Sequence, residues 1–296
     1  MDYYYWDDFW GAGGLAAAAR LAAAWGGEAQ ARRWREQAES LLAAVASSLE
    51  RGASRRGRPA MPASPYRRLD GGAVGSLAAG YPLSLWPADD PRLLDTARLL
   101  CERHLVRGAF FLDLIHSGIN AYLTLHIAQV LLRGGEVAAA LDLAGAVAGL
   151  ASPTGQWPEA IHPGTGGGCM GDGQHAWAAA EWVLMMRHLF LREEGEALVV
   201  APGIPAGWLA EGAAPSFGPA PTPWGEVTVT AAACGRGAEV RWQARWRVEG
   251  PARVLVRLPG FAPADLPAAA GGARLAAPAD PAAAAVAPAL AGGWSP

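Results

Sequence analysis

The segment Gly155–His175 concentrates more reactive side chains than any other part of the chain. It sets the indole of Trp157 beside the carboxylate of Glu159, and adds the imidazoles of His162 and His175, the thiol of Cys169 and the carboxylate of Asp172. Among them stand six glycines within the ten residues 164–173. Glycines give no side chains to a core and cost backbone entropy on ordering. Such a stretch makes sense where backbone and a few polar groups must approach a ligand closely, so it reads as an active-site loop. Glu159 has the character of a catalytic carboxylate, and Trp157 offers a flat apolar face next to it.

His162, Cys169, Asp172 and His175 are all side-chain types that bind zinc. Their spacing matches no strong zinc pattern and the glycines would hold them loosely, so neither a metal nor a cofactor is implied. Cys169 has no ordered base partner in the sequence to make it a nucleophile. Asp172 reads as the N-cap or a first-turn acid of the next helix, stabilised by the helix dipole. His175 lies one turn further on and faces either the loop or the core. A second group opens the chain, where Tyr3, Tyr4, Tyr5 and Trp6 run into Asp7 and Asp8. Its rings could stack on a ligand while its carboxylates bind hydroxyls, or one aspartate could simply cap the first helix. His116 and Asn120 flank the start of a later helix and are further candidates for polar contact.

The elements that must position these groups are helices up to about Leu191. The first is expected from about Phe9 to Trp25, stopped by Gly26-Gly27. The second starts near Glu28, with Trp34, Ala38, Leu41, Leu42, Val45 and Leu49 at helical spacing on one face. A Gly/Arg/Pro-rich loop to Asp70 follows, in which Arg51, Arg55, Arg56 and Arg58 read as solvated. A short helix is expected around Gly72 to Ala79. Asp90-Pro91 supplies an N-cap and a first-position proline for the fourth, buried through Leu93, Leu94, Ala97, Leu100 and Cys101. Ser117 is expected to cap a fifth carrying Tyr122, Leu125, Ile127 and Leu131. A sixth spans about Glu136 to Leu150 and a seventh about Asp172 to Leu191. The long connections 51–71, 106–116 and 151–172 alternate with tight glycine turns, so in stacked antiparallel pairs they share one end and form one functional face.

After Leu191 the pattern changes to short alternating runs, Val227–Thr230, Val240–Gln243 and Val254–Arg257, separated by Gly and Pro. These read as antiparallel strands of a small sandwich, with Trp208, Trp242 and Trp246 in its core or on its strands. From about Ala262 the chain is Ala/Pro/Gly-rich with little patterning. The expected domains are therefore 1–194 (helical hairpins), 195–260 (sandwich) and 261–296 (tail).

The composition of the 296 residues is 52% hydrophobic and 17% charged, against about 25% charged in typical domains. The excess is mostly alanine, which indicates closely packed helices. No uninterrupted apolar stretch reaches the ~18 residues that span a bilayer. A net charge of -3, with no stripe of basic residues, argues against nucleic acid as a partner. Three separated cysteines, Cys101, Cys169 and Cys234, fit a reducing compartment, and no signal peptide is visible. The expected location is cytoplasmic, with no membrane partner.

Three stretches resemble glucoamylase-like enzymes of the six-hairpin glycosidase superfamily. Ala17 to Trp34, AAARLAAAWGGEAQARRW, looks like the helix–glycine turn–helix pair of that group. Leu69-Asp70-Gly71-Gly72-Ala73, followed by Asp89-Asp90-Pro91-Arg92 and Thr96, looks like its "LDA…DDPR…T" region. Pro158-Glu159-Ala160-Ile161-His162-Pro163-Gly164-Thr165-Gly166 resembles the late loop that carries its catalytic base. The resemblance implies an α/α toroid of helical hairpins with the site at one end, and Glu159 as the second of the two carboxylates that glycoside hydrolysis needs. It also implies that the chain is the later, C-terminal part of such a barrel, its catalytic acid lying before Met1 and the missing N-terminal half acting as a partner. Asp7 or Asp8 is the alternative acid. Trp6, Trp157, His116, Asn120, His162, Asp172 and His175 become candidate sugar contacts. The C-terminal sandwich, introduced by Ser216-Phe217-Gly218 and Thr222-Pro223-Trp224-Gly225, looks more like α-L-rhamnosidase-type members. Two functions remain open: a glycoside hydrolase, or its C-terminal part, and a non-catalytic carbohydrate-binding or scaffold protein.

Overall fold

The computed structural model describes residues 2–114 and 117–276. The chain divides into two compact units, Met1–Gly135 with Ala146–Ala179, and Glu136–Gly145 with the chain from Ala180 onward.

In the first unit, α1 (Tyr5–Ala24) and α2 (Glu28–Arg56) form a hairpin. Gly26 turns it with a φ of +79°, a conformation that favours glycine. The Tyr5 hydroxyl meets Ser48 Oγ at 2.8 Å, which ties the start of α1 to the end of α2 and makes the pair antiparallel. Helix α1 begins four residues earlier than expected, so Tyr5, Trp6, Asp7 and Asp8 form its first turn. Its N-cap is Tyr4, with no side-chain cap bond, so neither aspartate caps the helix. Helix α2 runs on to Arg56 and ends at Gly57, left-handed at φ 70°. The arginines beyond Leu49 are therefore not a solvated loop. Arg51, Arg55 and Arg56 are helical, and Arg58 grips Asp95 through two bonds of 2.9 and 2.6 Å.

A 3-10 helix, Gly71–Ala79, is opened by Asp70, whose carboxylate accepts from the Gly72 amide at 3.0 Å. Helix α3 (Pro91–Arg103) starts as anticipated, with Pro91 first and Asp90 accepting from the Arg92 amide at 2.9 Å. Between α3 and the next helix the chain forms β1 (Leu105–Val106), β2 (Ala109–Leu112) and β3 (Gly118–Ile119). Helix α4 (Ala121–Arg133) is buried along nearly its whole length, which places it at the centre of this unit. Its N-cap residue is Asn120; Ser117 instead bonds Leu114 O.

Helix α5 (Val137–Gly149) leads to β4 (Ala160–Ile161) and β5 (Gly168–Met170), and α6 (Ala176–Phe190) follows. The strands join in the order β1-β2-β3-β4-β5, every pair antiparallel. The purely helical reading before Leu191 is thus corrected by a five-stranded sheet. Strands of two to four residues are too short to show the alternation that marks a strand in sequence.

The second unit carries β6 (Leu191–Glu194), β7 (Ala197–Val200), β8 (Ser216–Pro221), β9 (Gly225–Cys234), β10 (Gly237–Trp246), β11 (Arg253–Val256), β12 (Ala264–Leu266) and β13 (Gly272–Leu275). One sheet has the order β13-β10-β9-β8 and the other β12-β11-β7-β6. Strand β9 buries alternate residues, among them Val227, Val229 and Ala231, as its period-2 sequence requires. The expectation of antiparallel pairing throughout fails at one place: β11 runs parallel to β7. The unpatterned region also begins later than Ala262, since β12 and β13 lie beyond it. Among the described residues no helix is long and apolar enough to cross a membrane.

Candidate functional site

The glycine-rich segment is a short β-hairpin hung on the five-stranded sheet. Ile161 pairs with Ile119 on one side and Gly168 on the other. The hairpin tip is held by backbone bonds from His162 N to Gly167 O and from Gly166 N to His162 O, both 2.8 Å. At its base, the His175 amide donates to Trp157 O at 2.9 Å and closes the segment. Glu159 stands just ahead of β4, half-buried, against Gly171.

From Glu159 a series of ring contacts runs through Tyr122 to side chains of three helices. Tyr122, in the first turn of α4, is close enough to Glu159 for the carboxylate to act on its ionisation. Burial first, and the Glu159 charge second, push the Tyr122 phenol up to about 12, so it remains a protonated donor at neutral pH. Its ring lies 4.9 Å from His175 and 4.6 Å from Trp177, centroid to centroid. Trp177 is in turn 6.4 Å from Trp6, and Trp6 is 5.6 Å from Trp10. Behind them Trp177 meets His126 edge-on at 5.6 Å, and His126 meets Tyr81 at 5.3 Å. Trp10 and Trp177 are 40% and 39% exposed, so this aromatic row is open to solvent on one side. A carboxylate beside exposed ring faces can bind the polar rim and the apolar C–H face of one ligand together.

The sequence candidates divide on this geometry. Glu159, Trp6 and His175 come together through Tyr122 and Trp177. His175 Nδ1 is buried there without a hydrogen-bond partner. At about 100° per helical residue, Trp10 and Asp7 lie about 40° and 100° round α1 from Trp6, whereas Asp8 lies about 200° round. Asp7 therefore shares the solvent side of α1 with Trp10. Asp8 sits on the flank of Tyr5, which faces α2; burial and then the Asp7 charge raise the Asp8 carboxyl above its usual value.

Trp157 is a correction. It is only 5% exposed, and its indole donates to Val147 O at 2.8 Å, so it packs inward and presents no stacking face. Asn120 is also buried, its amide donating to Gly118 O at 2.8 Å, and so links β3 to α4. His162 is exposed at the hairpin tip, where Nδ1 accepts from the Gly164 and Thr165 amides. Asp172 is not the helix cap: it accepts from the Gln174 amide in a local turn, and α6 starts at Ala176. The residue at the helix start is His175, whose carbonyl accepts from Ala179. His116 lies outside the described residues. The thiol of Cys169 points to Ser117 O at 3.6 Å. Among the described residues no group of three or more such side chains is arranged to hold a metal ion.

Sequence reasoning missed Trp177 and Tyr122 as site residues. Tyr122 falls in the apolar pattern of α4, and Trp177 falls in the opening turn of α6, where neither glycines nor carboxylates mark it.

No protein-family model and no curated protein sequence matches the chain. Among solved structures it is similar to a wild-type glycosidase, with a TM-score of 0.50 at 18% identity, covering 64% of this chain and 52% of that one. A tyrosine-to-phenylalanine variant of a glycosidase gives the same score at 19% identity, with the same coverage. A bacterial glucoamylase complexed with acarbose matches 62% of this chain and 33% of its own, with a TM-score of 0.49 and 16% identity. Over about two thirds of its length the chain thus has a glycosidase fold, and it spans about half the length of the glycosidases it matches.

Proposed function

We propose that this chain is a glycoside hydrolase, or the part of one that carries a catalytic carboxylate, and that Glu159 is that carboxylate. The observation that carries the reading is that the Glu159 charge reaches Tyr122, the buried end of a row of rings that continues through Trp177 and Trp6 to Trp10 and is open to solvent at Trp177 and Trp10. Sugars offer alternating hydroxyls and C–H faces, and rings flanking a carboxylate complement both. A shared fold alone does not carry an activity, so the weight rests on these residues. In this reading Glu159 activates water or attacks the anomeric carbon, while a second carboxylic acid protonates the leaving oxygen. Asp7, on the Trp10 side of α1, is the better placed of the two N-terminal aspartates for contact with substrate. The substrate is carbohydrate, the helical hairpins form part of an α/α toroid, and the C-terminal sheets form a sandwich.

The test is hydrolysis of a panel of nitrophenyl glycosides and short neutral oligosaccharides, comparing the wild type with Glu159→Gln. The substitution keeps shape and hydrogen bonding but removes the charge. Turnover is expected to fall ~10²-fold or more, the range for losing a general base, with KM little changed. Unchanged turnover in Glu159→Gln would refute the assignment. In the alternative, non-catalytic reading, Glu159 and the aromatic row bind carbohydrate without cleaving it. Oligosaccharide binding without turnover in the wild type would establish it.

A further inference from the structure

We infer that Gly171 is a positioning residue for the Glu159 carboxylate: the bare backbone of Gly171 is the wall against which that side chain rests. The inference builds on the reading of Glu159 above. The glycines of this segment were expected to leave room for a ligand, yet several of them are closed by the protein itself. A Cβ on Gly171 would lie 2.6 Å from Glu159 Cβ and 2.8 Å from Glu159 Oε2. Gly118 likewise has Ala160 Cβ at 2.8 Å and Cys169 Sγ at 3.1 Å from the place of its missing Cβ, and Gly168 has Pro158 Cβ at 3.0 Å. Glycine thus lets β3, β4 and β5 close tightly about the residues next to Glu159, and Gly171 makes the contact with Glu159 itself.

The backbone adds a second requirement. Gly171 has φ +67°, in the left-handed region that favours glycine. It follows Met170, the residue paired with Ala160, so this turn brings the chain back across the base of Glu159. The side chain is therefore bracketed, with Gly171 on one side and the buried Tyr122 within electrostatic reach. Any side chain at position 171 must displace the carboxylate, and a misplacement of ~1 Å at a reacting group costs about 10²-fold in rate.

The test compares Gly171→Ala with Gly57→Ala. Gly57 has the same left-handed backbone, φ +70°, but nothing within 4 Å of its missing Cβ, so it reports the backbone cost alone. Gly57→Ala is expected to lose the backbone cost alone, and Gly171→Ala that cost plus the displacement of Glu159. Gly171→Ala is expected to lower kcat by tenfold or more, with a smaller change in KM, while Gly57→Ala keeps wild-type turnover. If Gly171→Ala fails to fold, Gly171→Asn, which tolerates the left-handed backbone, brings the same Cβ. A crystal structure of either position-171 variant should show Glu159 displaced. Wild-type kinetics at position 171, or an unmoved Glu159 side chain, would overturn the inference while leaving the role of Glu159 intact. A fully active Glu159→Gln would instead remove the reading on which it rests.

Discussion

The Tyr122 phenol is held by burial and by the neighbouring Glu159 charge at a pKa of about 12, two units above an ordinary tyrosine. The folded chain therefore resists losing that proton. Above pH 10 the unfolded chain binds fewer protons than the folded one, so stability must fall as pH rises from 10 towards 12, and the contribution is flat below 10. Burial also raises the Tyr5 phenol, so a spectrophotometric titration of the folded protein should show late-ionising tyrosines, and Tyr122→Phe should remove the last component. Persistence of that late component in Tyr122→Phe would disprove the placement. The two tryptophans next to the site should also separate cleanly. Trp157→Ala removes a buried ring and its bond to Val147, and should cost about 3–5 kcal/mol of unfolding free energy. Trp177→Ala removes a ring that is 39% exposed and tilted against Tyr122, so it should weaken oligosaccharide affinity with far less loss of stability. The reverse ranking, by chemical denaturation and by calorimetric binding, would exchange their roles.

Individual elements are defined by local chemistry that acts independently of the site. Asp90 caps α3 through the Arg92 amide, and its carboxylate also pairs with the Arg92 guanidinium at 2.6 Å. The Arg92 guanidinium in turn lies 3.7 Å over the Trp86 ring. Asp90→Ala should destabilise the protein by about 1 kcal/mol, as losses of N-caps do. Because α3 contributes nothing to the aromatic row, kcat should stay within twofold of wild type. A large kinetic effect with unchanged stability would mean that α3 bears on the site directly. The β4–β5 hairpin works differently: its two-residue strand β4 is held only by neighbours on both sides, so its order comes from the sheet.

At the scale of the whole molecule the two units differ in how their sequences encode them. Within the second unit the connection from β7 to β8 is buried over Ala201–Ile204, and becomes exposed around Ala206 and from Ala210 to Gly212. A glutamate-specific protease should therefore cut first after Glu211, ahead of Glu226 within β9. First cleavage inside β9 or β10 would show that those strands open more readily than the connection before them. Each unit carries ion pairs of its own. In the second, Arg187 binds Glu193 at 2.6 Å and Arg192 binds Glu194 at 2.7 Å.

What the sequence alone determined is the set of elements whose signals are local. The α1–α2 glycine turn, the Asp90-Pro91 start of α3, the alternation of β9 and the lone glutamate in the glycine-rich segment each depend on a few adjacent residues. Tertiary structure decided everything that depends on residues far apart in sequence. The five-stranded sheet joins residues 105–119 to 160–170 through pairings too short to leave a pattern. The same pairing turned the glycines from ligand space into packing space around Glu159. It also turned Trp157 inward and brought Tyr122, with Trp177 against it, to the carboxylate in its place. Which ring of two near neighbours faces solvent is set by the direction of the backbone at each. That direction is fixed by strand register and by the start of α6, neither of which a single sequence displays.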